Sequence, residues 1–203
     1  MKLYYSPGAC SLATHIVLEW IGKPYELHKV NIHGTKSPEL LEHNPAGAVP
    51  VIEEHGWVLT QNSAILNYLA DVFPEARLDG DGTPKSHAEV NRWLGFVNSD
   101  VHPAFKPLFG ATGYLGDEAA IEKSKENART RIRSLFGIVD KHLVSRDWLA
   151  TERSVADPYL FVMVRWAKAQ KIELSGLDSL ERFFQRMSSD PAVRKVLKEE
   201  GQT

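Results

Sequence analysis

The sequence contains only one cysteine among its 203 residues, Cys10. One thiol cannot form an internal disulfide, and the residues that follow it, Ser11, Leu12 and Ala13, supply no second cysteine of a C-x-x-C pair. A disulfide-stabilised fold and a dithiol redox cycle within one chain are therefore excluded. A lone thiol fits a reducing compartment, and the cytoplasm is the expected location.

An excess of charge of either sign is also missing, since 24 basic and 26 acidic residues give a formal net charge of -2. A nucleic-acid surface needs clustered basic residues. Arg129, Arg131 and Arg133 form the run that most resembles such a cluster, but they alternate with Thr130 and Ile132 in a charged helical stretch. We interpret the run as a solvated helix face and predict no nucleic-acid partner.

Long apolar runs are lacking as well. Pro7 and Gly8 break the N-terminal run, and the next apolar stretch, residues 12–21, contains His15 and Glu19. A bilayer-spanning helix needs about 20 apolar residues in succession. We therefore predict no signal peptide and no membrane segment.

The residues that are present divide the chain into two halves. Residues 1–72 alternate short strand-like and helix-like segments in the order βαβαββα, which is the thioredoxin-like arrangement. Strands are predicted at 2–5, 25–32, 49–54 and 57–60, and helices at 11–21, 37–41 and 62–72. Beyond a Gly-, Pro- and Asp-rich stretch the pattern is almost entirely helical. We predict a domain over 1–78, a linker over 79–84 and an all-helical domain over 85–203.

Helical spacing in the second half runs from 121 to 143 and from 155 to 166, and two shorter helices are predicted at 177–188 and 192–200. Ser154 and Asp157 have the spacing of a capping box, with aspartate in place of the usual glutamate or glutamine. The sequence therefore predicts a helix that begins close to Ser154.

Cys10 is the first candidate for chemistry. It lies between a predicted strand end and the helix that begins at Ser11, where free amide N–H groups and the helix dipole favour an anion. A thiolate would be stabilised there, so we expect a lowered pKa. The alternative is a buried cysteine that packs as a small hydrophobic residue. Its position after Pro7 and Gly8 favours a functional thiol.

Two backbone segments are further candidates. A cis bond between Val49 and Pro50 would turn the Val49 N–H and C=O outward to pair with a peptide-like ligand, whereas a trans proline is the commoner case. Gln61 and Asn62 begin a helix after a strand, where amides can hold a carboxylate. Simple capping by Asn62 or Ser63 is the better interpretation of that segment taken alone.

His102 is the last candidate, because Pro103 should bend or break its helix and expose the neighbouring residues. The alternative is that His102 is one of eight histidines without a special role. The sequence has no H-E-x-x-H motif and no His/Cys cluster with metal-ligand spacing, so we predict no metal site.

Four spaced motifs together are more specific than any single feature. They are MKLYYSPGACSL at 1–12, N-P-x-G-x-V-P at 44–50, L-T-[EQ]-x-x-A-I at 59–65, and ADPYLF with RWA at 156–161 and 165–167. In this order they resemble the bacterial beta-class glutathione transferases over nearly the whole chain. The resemblance implies a thioredoxin-like domain, an all-helical domain, a homodimer, and detoxifying conjugation of glutathione to electrophilic small molecules, with thiol exchange in some members.

The resemblance also implies roles for individual residues. Cys10 would lie beside the glutathione sulfur, Val49 with Pro50 would pair with the cysteinyl backbone, and Gln61 and Asn62 would hold the γ-glutamyl end. Lys36 is the expected partner of the glycyl carboxylate. The remaining expected site residues are Tyr5 and Ser11 as auxiliary donors, Ser99, Asp100 and His102 on a helix segment lining the site, and Phe105, Phe109 and Trp166 as an apolar pocket.

The expected function is conjugation of glutathione, as co-substrate, to largely apolar electrophiles, without a cofactor. One alternative is a monothiol, glutaredoxin-like disulfide reductase that uses Cys10. Another is a non-catalytic ligand-binding protein on the same fold, because function depends on the site and not on the fold alone.

Overall fold

The protein is described by a computed structural model that covers residues 1–202. Its N-terminal domain is a four-stranded mixed sheet in the order β2-β1-β3-β4, in which β1 pairs parallel with β2 and antiparallel with β3. The thioredoxin-like prediction is confirmed. The elements are β1 (Lys2–Tyr5), α1 (Ser11–Ile21), β2 (Glu26–Lys29), α2 (Pro38–His43), β3 (Val51–Glu54), β4 (Trp57–Thr60) and α3 (Asn62–Val72).

Helix α1 occupies the centre of the molecule. Its spacing predicts one apolar face, but the structure buries every residue from Ser11 to Leu18. The reason is that α1 packs between the sheet and helices of the second domain, so both of its faces are covered. Gly22 ends the helix in the left-handed conformation, with φ of 70°, which glycine adopts without a steric penalty.

Two strands are shorter than their sequence patterns predict. Strand β2 covers Glu26–Lys29 instead of 25–32, because it is an edge strand that pairs only with the four residues of β1. Strand β3 begins at Val51 instead of Val49, since Pro50 has no N–H to donate to a neighbouring strand. The β3–β4 hairpin turns at His55 and Gly56, both with positive φ, as predicted for a tight hairpin.

The second domain is helical throughout its regular elements. They are α4 (Pro84–Phe96), a π-helical turn (Val97–Val101), α5 (His102–Ala104), α6 (Glu118–His142), α7 (Ala156–Ala169), α8 (Asp178–Ser189) and α9 (Pro191–Glu199). Short 3-10 turns cover Pro74–Ala76, Lys106–Phe109 and Gly113–Leu115. The exact division at 78 and 85 stays a prediction. No helix within residues 1–202 combines the length and the apolar character needed to cross a membrane.

Pro103 does not break its helix as expected. The chain widens into the π-helical turn before it, where the His102 N–H donates to the Val97 carbonyl, and continues into α5. The neighbours Val101 and Ala104 are buried, so they are not exposed as predicted. A single π turn inside a helix is a common feature of functional sites.

The predicted capping box is present at the start of α7. The Asp157 carboxylate, which is fully buried, accepts hydrogen bonds from the Ser154 N–H at 2.7 Å, the Ser154 hydroxyl at 3.1 Å and the Leu149 N–H at 2.9 Å. Burial raises the pKa of Asp157 to about 6. The Ser154 hydroxyl in turn accepts from the Ala156 N–H. These bonds fix the loop before α7 and the direction in which α7 enters the core.

Candidate functional site

A cleft with a volume of about 550 Å³ lies between the two domains. Both predicted groups of residues contribute to it, the loops and helix starts of the first domain and the α4–α5 segment of the second. Eight of the predicted site residues line it: Cys10, Val49, Pro50, Gln61, Asn62, His102, Phe109 and Trp166. The cleft has room for a tripeptide-sized ligand beside a smaller second molecule.

Three of the predicted residues lie behind the wall of the cleft. Tyr5 and Ser11 are buried, and the Ser11 hydroxyl donates to the Ser6 carbonyl and accepts from the Ser6 N–H, both at 3.3 Å. Phe105 is also buried, 6.1 Å between ring centres from Phe109. These side chains support the residues that line the cleft and do not line it themselves.

Three other predicted residues lie at its margin. The Lys36 ammonium donates to the Ala46 carbonyl at 2.8 Å and so supports the loop before Val49. The Ser99 hydroxyl donates to the Gly95 carbonyl, and Asp100 lies 4.0 Å from the Arg131 guanidinium. Their predicted contacts with a ligand or a partner subunit stay predictions.

The pKa of the Cys10 thiol is raised, contrary to the lowered pKa expected from the helix start, so the neutral thiol is favoured. Burial raises the pKa of Cys10 to about 12, which outweighs the stabilising N–H groups of Cys10 and Ser11. Its Sγ–H donates to the Val49 carbonyl at 3.1 Å. Hydrogen bonding by the neutral form disfavours the thiolate further. Cys10 is therefore a hydrogen-bond donor here.

Val49 presents its backbone to the cleft. The Val49–Pro50 bond is cis, which the sequence left open. The preceding loop is held by the Asn44 side-chain amide, which donates to the Ala48 carbonyl at 2.8 Å. Within residues 1–202 the Val49 N–H has no hydrogen-bond partner. An extended peptide could pair with this free N–H as a further strand would.

The start of α3 forms the opposite wall. Gln61 is exposed and has φ of 73°, a left-handed conformation that residues other than glycine seldom adopt. Asn62 lines the cleft but does not cap α3 with its side chain. Its side-chain oxygen accepts from the Thr14 hydroxyl at 2.8 Å, and its amide donates to the Cys10 carbonyl at 3.3 Å. Asn62 therefore ties the first turn of α3 to that of α1.

His102 belongs to a hydrogen-bonded chain that the sequence did not reveal. Its Nδ1 lies 2.6 Å from the Tyr159 hydroxyl, which donates to the Asn98 side-chain oxygen at 3.2 Å. The Tyr159 hydroxyl has one proton, which it donates to Asn98, so in the contact with His102 the donor is Nδ1–H. Nε2 of His102 then carries the lone pair. Burial, aided by Lys106, lowers the pKa of His102 to about 4. The imidazole is therefore neutral at physiological pH.

Asn98, Tyr159 and Lys106 line the cleft but were missed. A signal for two of them was present, because Asn98 and Lys106 lie four residues before and after His102 and share its helix face. Tyr159 lies within the ADPYLF motif, where it could be recognised only as part of a pattern. The Trp166 ring, 5.0 Å between centres from His102 and from Phe109, completes an aromatic wall.

We expect the lowered pKa of His102 to make the free energy of unfolding depend on pH. The unfolded chain binds a proton near pH 6.5 and the folded protein only near pH 4, so folding stability is full above pH 6.5 and falls as the pH decreases toward 4. The loss should be about 2 kcal/mol. Urea unfolding of the wild type and of His102→Gln from pH 7 to 4.5 measures it as the difference between their slopes, because the raised pKa of Asp157 acts in the opposite direction in both proteins. An unchanged slope would contradict the assignment.

One group of potential metal ligands lies outside the cleft. Oxygen and nitrogen atoms of Asp71, Asp79 and His87 lie within 4.8 Å of one another. Both ring nitrogens of His87 already have partners, Asp79 at Nδ1 and the Asn91 amide at Nε2. This arrangement leaves no imidazole nitrogen free for an ion, and the absence of a metal site stays a prediction.

Comparison with known proteins gives a consistent assignment. Residues 8–72 match the family model for the glutathione S-transferase N-terminal domain, and residues 97–191 match that for the C-terminal domain. The chain is 55% identical over 202 residues to glutathione S-transferase GST-4.5 of Xanthomonas campestris, with 99% of each chain covered.

Solved structures show the same similarity. A glutathione S-transferase from Xylella fastidiosa superimposes with a TM-score of 0.96 at 50% identity, covering 100% of this chain and 99% of that one. The beta-class enzyme of Sphingomonas chungbukensis gives 0.88 at 37%, with 100% of both chains covered. A sphingomonad glutathione S-transferase complexed with glutathione gives 0.88 at 34%, again with 100% of both covered.

Proposed function

Because the chain belongs to the glutathione S-transferase family and is a glutathione transferase, we propose that the cleft holds glutathione along the first domain and a largely apolar electrophile against the second. The observation that carries the proposal is the free Val49 N–H beside the Cys10 thiol in the cleft. Together they offer a backbone edge and an S–H donor at one place, which suits a cysteine-containing peptide.

The walls of the cleft suggest the orientation of the peptide. The cysteinyl unit would pair with Val49, which places the glutathione sulfur near Cys10. The γ-glutamyl carboxylate would then lie at the start of α3, where the amides of Asn62, Ser63 and Ala64 precede the first intrahelical bond, from Ile65 to Gln61. The glycyl end would extend toward the loop of His33 and Lys36, of which His33 lines the cleft.

Conjugation requires the glutathione thiolate. In the proposed mechanism the thiol proton moves to Nε2 of His102, and the sulfur anion formed beside the imidazolium stabilises its charge. The Cys10 S–H turns from the Val49 carbonyl to donate to the same sulfur anion. The glutathione sulfur then forms a bond to the electrophilic carbon, and the leaving group departs with its electron pair. The imidazolium finally releases its proton. The raised pKa of Cys10 suits a donor rather than the attacking nucleophile.

The second domain provides the surface for the electrophile. Phe109 and Trp166 meet edge to face, and Phe109 is about half exposed, so an apolar or aromatic molecule would gain contact area there. Holding the electrophile in line with the sulfur supplies much of the expected acceleration. The same proposal includes a homodimer in the cytoplasm, with glutathione as co-substrate and no cofactor.

Cys10→Ala should separate the two thiol chemistries. We expect conjugation of a model aryl halide to fall about tenfold, the value of one hydrogen bond to a charged sulfur, and reduction of a glutathione mixed disulfide to fall further. Steady-state assays of both reactions measure this. Cys10→Ser keeps a donor and serves as the matched control. Collapse of conjugation with disulfide reduction untouched would contradict the proposal.

The monothiol reductase remains the second candidate because the structure does bring Cys10 to the cleft. Attack by Cys10 on a disulfide needs its thiolate, which the raised pKa disfavours. We therefore expect disulfide reduction to be the minor activity. Retention on immobilised glutathione, followed by assays of conjugation and of disulfide reduction, shows which activity is the greater. Disulfide reduction faster than conjugation would make the reductase the better assignment.

A further inference from the structure

The helical domain holds the loop before Cys10 through both backbone polar groups of one residue, Gly8. The Gly8 N–H donates to Oε2 of Glu200 at 2.9 Å, and the Gly8 carbonyl accepts from Nε1 of Trp166 at 2.8 Å. Glu200 follows the last turn of α9 and Trp166 lies on α7. Both polar groups of one loop residue are thus fixed by residues far along the chain.

Glu200 contacts a second part of the first domain. Its other carboxylate oxygen, Oε1, accepts from Nδ1 of His15 at 2.9 Å, and both side chains are fully buried. The second ring nitrogen of His15 lies 3.3 Å from the more exposed Glu199. A buried carboxylate is costly unless donors satisfy it. The two donors that satisfy Glu200 come from the loop before Cys10 and from α1 after it.

Gly8 suits this close approach for two reasons. Its φ is 72°, in the left-handed region, and a Cβ at this position would lie 2.7 Å from the side-chain oxygen of Gln202. The C-terminal segment is itself held in place, since Arg165 donates to the Gln202 carbonyl at 2.8 Å. Gln202 therefore packs directly on the loop that carries the thiol.

We infer that Glu200 is a positioning residue for glutathione, a role that rests on the proposed function of the cleft. By fixing the Gly8 peptide and His15 on both sides of Cys10, the Glu200 carboxylate sets where the Cys10 thiol and the N–H groups of Cys10 and Ser11 face the cleft. These are the groups that would contact the glutathione sulfur. The electrophile wall meets this loop through one bond, from the Trp166 indole N–H to the Gly8 carbonyl, and α7 carries the Trp166 ring, so the wall depends less on Glu200 than the Cys10 thiol does.

Glu200→Gln tests the inference with little change in shape. Glutamine removes the charge, so whichever of its atoms faces Gly8 can make at most a neutral hydrogen bond in place of the charge-assisted one. We expect the Gly8 amide to exchange its hydrogen about tenfold faster, followed by NMR. We also expect kcat/KM for glutathione to fall about tenfold, with a much smaller change in KM for the electrophile. A purely structural role would not separate the two substrates.

Glu199→Gln is the matched control, because it changes the neighbouring carboxylate, which contacts the other side of His15 and Lys195. It should leave the exchange of Gly8 and both kinetic constants as in the wild type. If Glu200→Gln does not fold, Glu200→Asp replaces it, because it keeps the charge on a shorter side chain. It should likewise lower kcat/KM for glutathione more than it changes KM for the electrophile. Thermal unfolding of each variant confirms that assays are run on folded protein.

The outcomes distinguish this inference from the proposed function. Unchanged exchange of the Gly8 amide in Glu200→Gln overturns it, and so does faster exchange with unchanged constants for glutathione. An equal loss for both substrates also overturns it. If the wild type does not turn over glutathione, the proposed function fails, and the exchange experiment still decides whether Glu200 holds the loop.

Discussion

Replacing Asp157 by alanine is expected to lower the free energy of unfolding by about 4 kcal/mol. The substitution leaves three buried donors without an acceptor, the N–H groups of Leu149 and Ser154 and the Ser154 hydroxyl. A buried unsatisfied donor costs about 1–3 kcal/mol, and partial relaxation of the loop reduces the sum. Urea unfolding followed by circular dichroism, above pH 7 where the carboxylate is ionised, measures the loss.

Asp117→Ala provides the comparison for Asp157. Asp117 also caps a helix, by accepting from the Ala120 N–H at 2.7 Å, but it is exposed. Water can replace its bond, so the expected loss is about 1 kcal/mol. If the two substitutions lower the free energy of unfolding equally, burial is not the main reason why Asp157 stabilises the protein.

The largest kinetic effect is expected from His102→Phe. Phenylalanine keeps a ring beside Trp166 but has no lone pair to take the glutathione proton, so kcat for conjugation should fall roughly 100-fold, within the range of general-base catalysis. The KM for glutathione should change little, because the peptide contacts lie on the first domain. Stopped-flow and steady-state assays with a model aryl halide measure both constants.

Tyr159→Phe is the partner experiment. It removes the hydroxyl that accepts from Nδ1 of His102 and fixes which nitrogen carries the lone pair. We expect a smaller fall in kcat, about tenfold, since the imidazole stays in place but loses its orientation. If His102→Phe retains most of the wild-type kcat, the proton acceptor is another group and the proposed mechanism is wrong.

Much of the fold could be predicted because its signals are local. The helices of the first domain begin and end at residues with clear signals, Ser11 and Gly22 for α1, and the element order was correct. The predicted lengths of β2 and β3 were wrong. The four residues of β1 limit the length of β2, and Pro50, which has no N–H to donate, sets the start of β3. These are properties of the assembled sheet, which a short window of sequence does not contain.

Many residues of the site could be predicted from the sequence, but their pKa values could not. Cys10 and His102 were both predicted as site residues and both line the cleft, yet the pKa of Cys10 moves in the direction opposite to that expected from the start of α1. The dipole of α1 is a local property, whereas desolvation depends on residues that only the folded chain brings together. Glu200 and Tyr159 escaped prediction for the same reason.

The protonated state of Cys10 has a consequence for survival of the enzyme. At pH 7 a thiol whose pKa is about 12 is ionised in roughly one molecule in 10⁵. Electrophiles that enter the cleft are themselves alkylating agents, and they react with thiolates rather than with thiols. A raised pKa therefore makes Cys10 less reactive toward such electrophiles than a thiolate would be, so we expect alkylation of Cys10 to be slow when glutathione is absent.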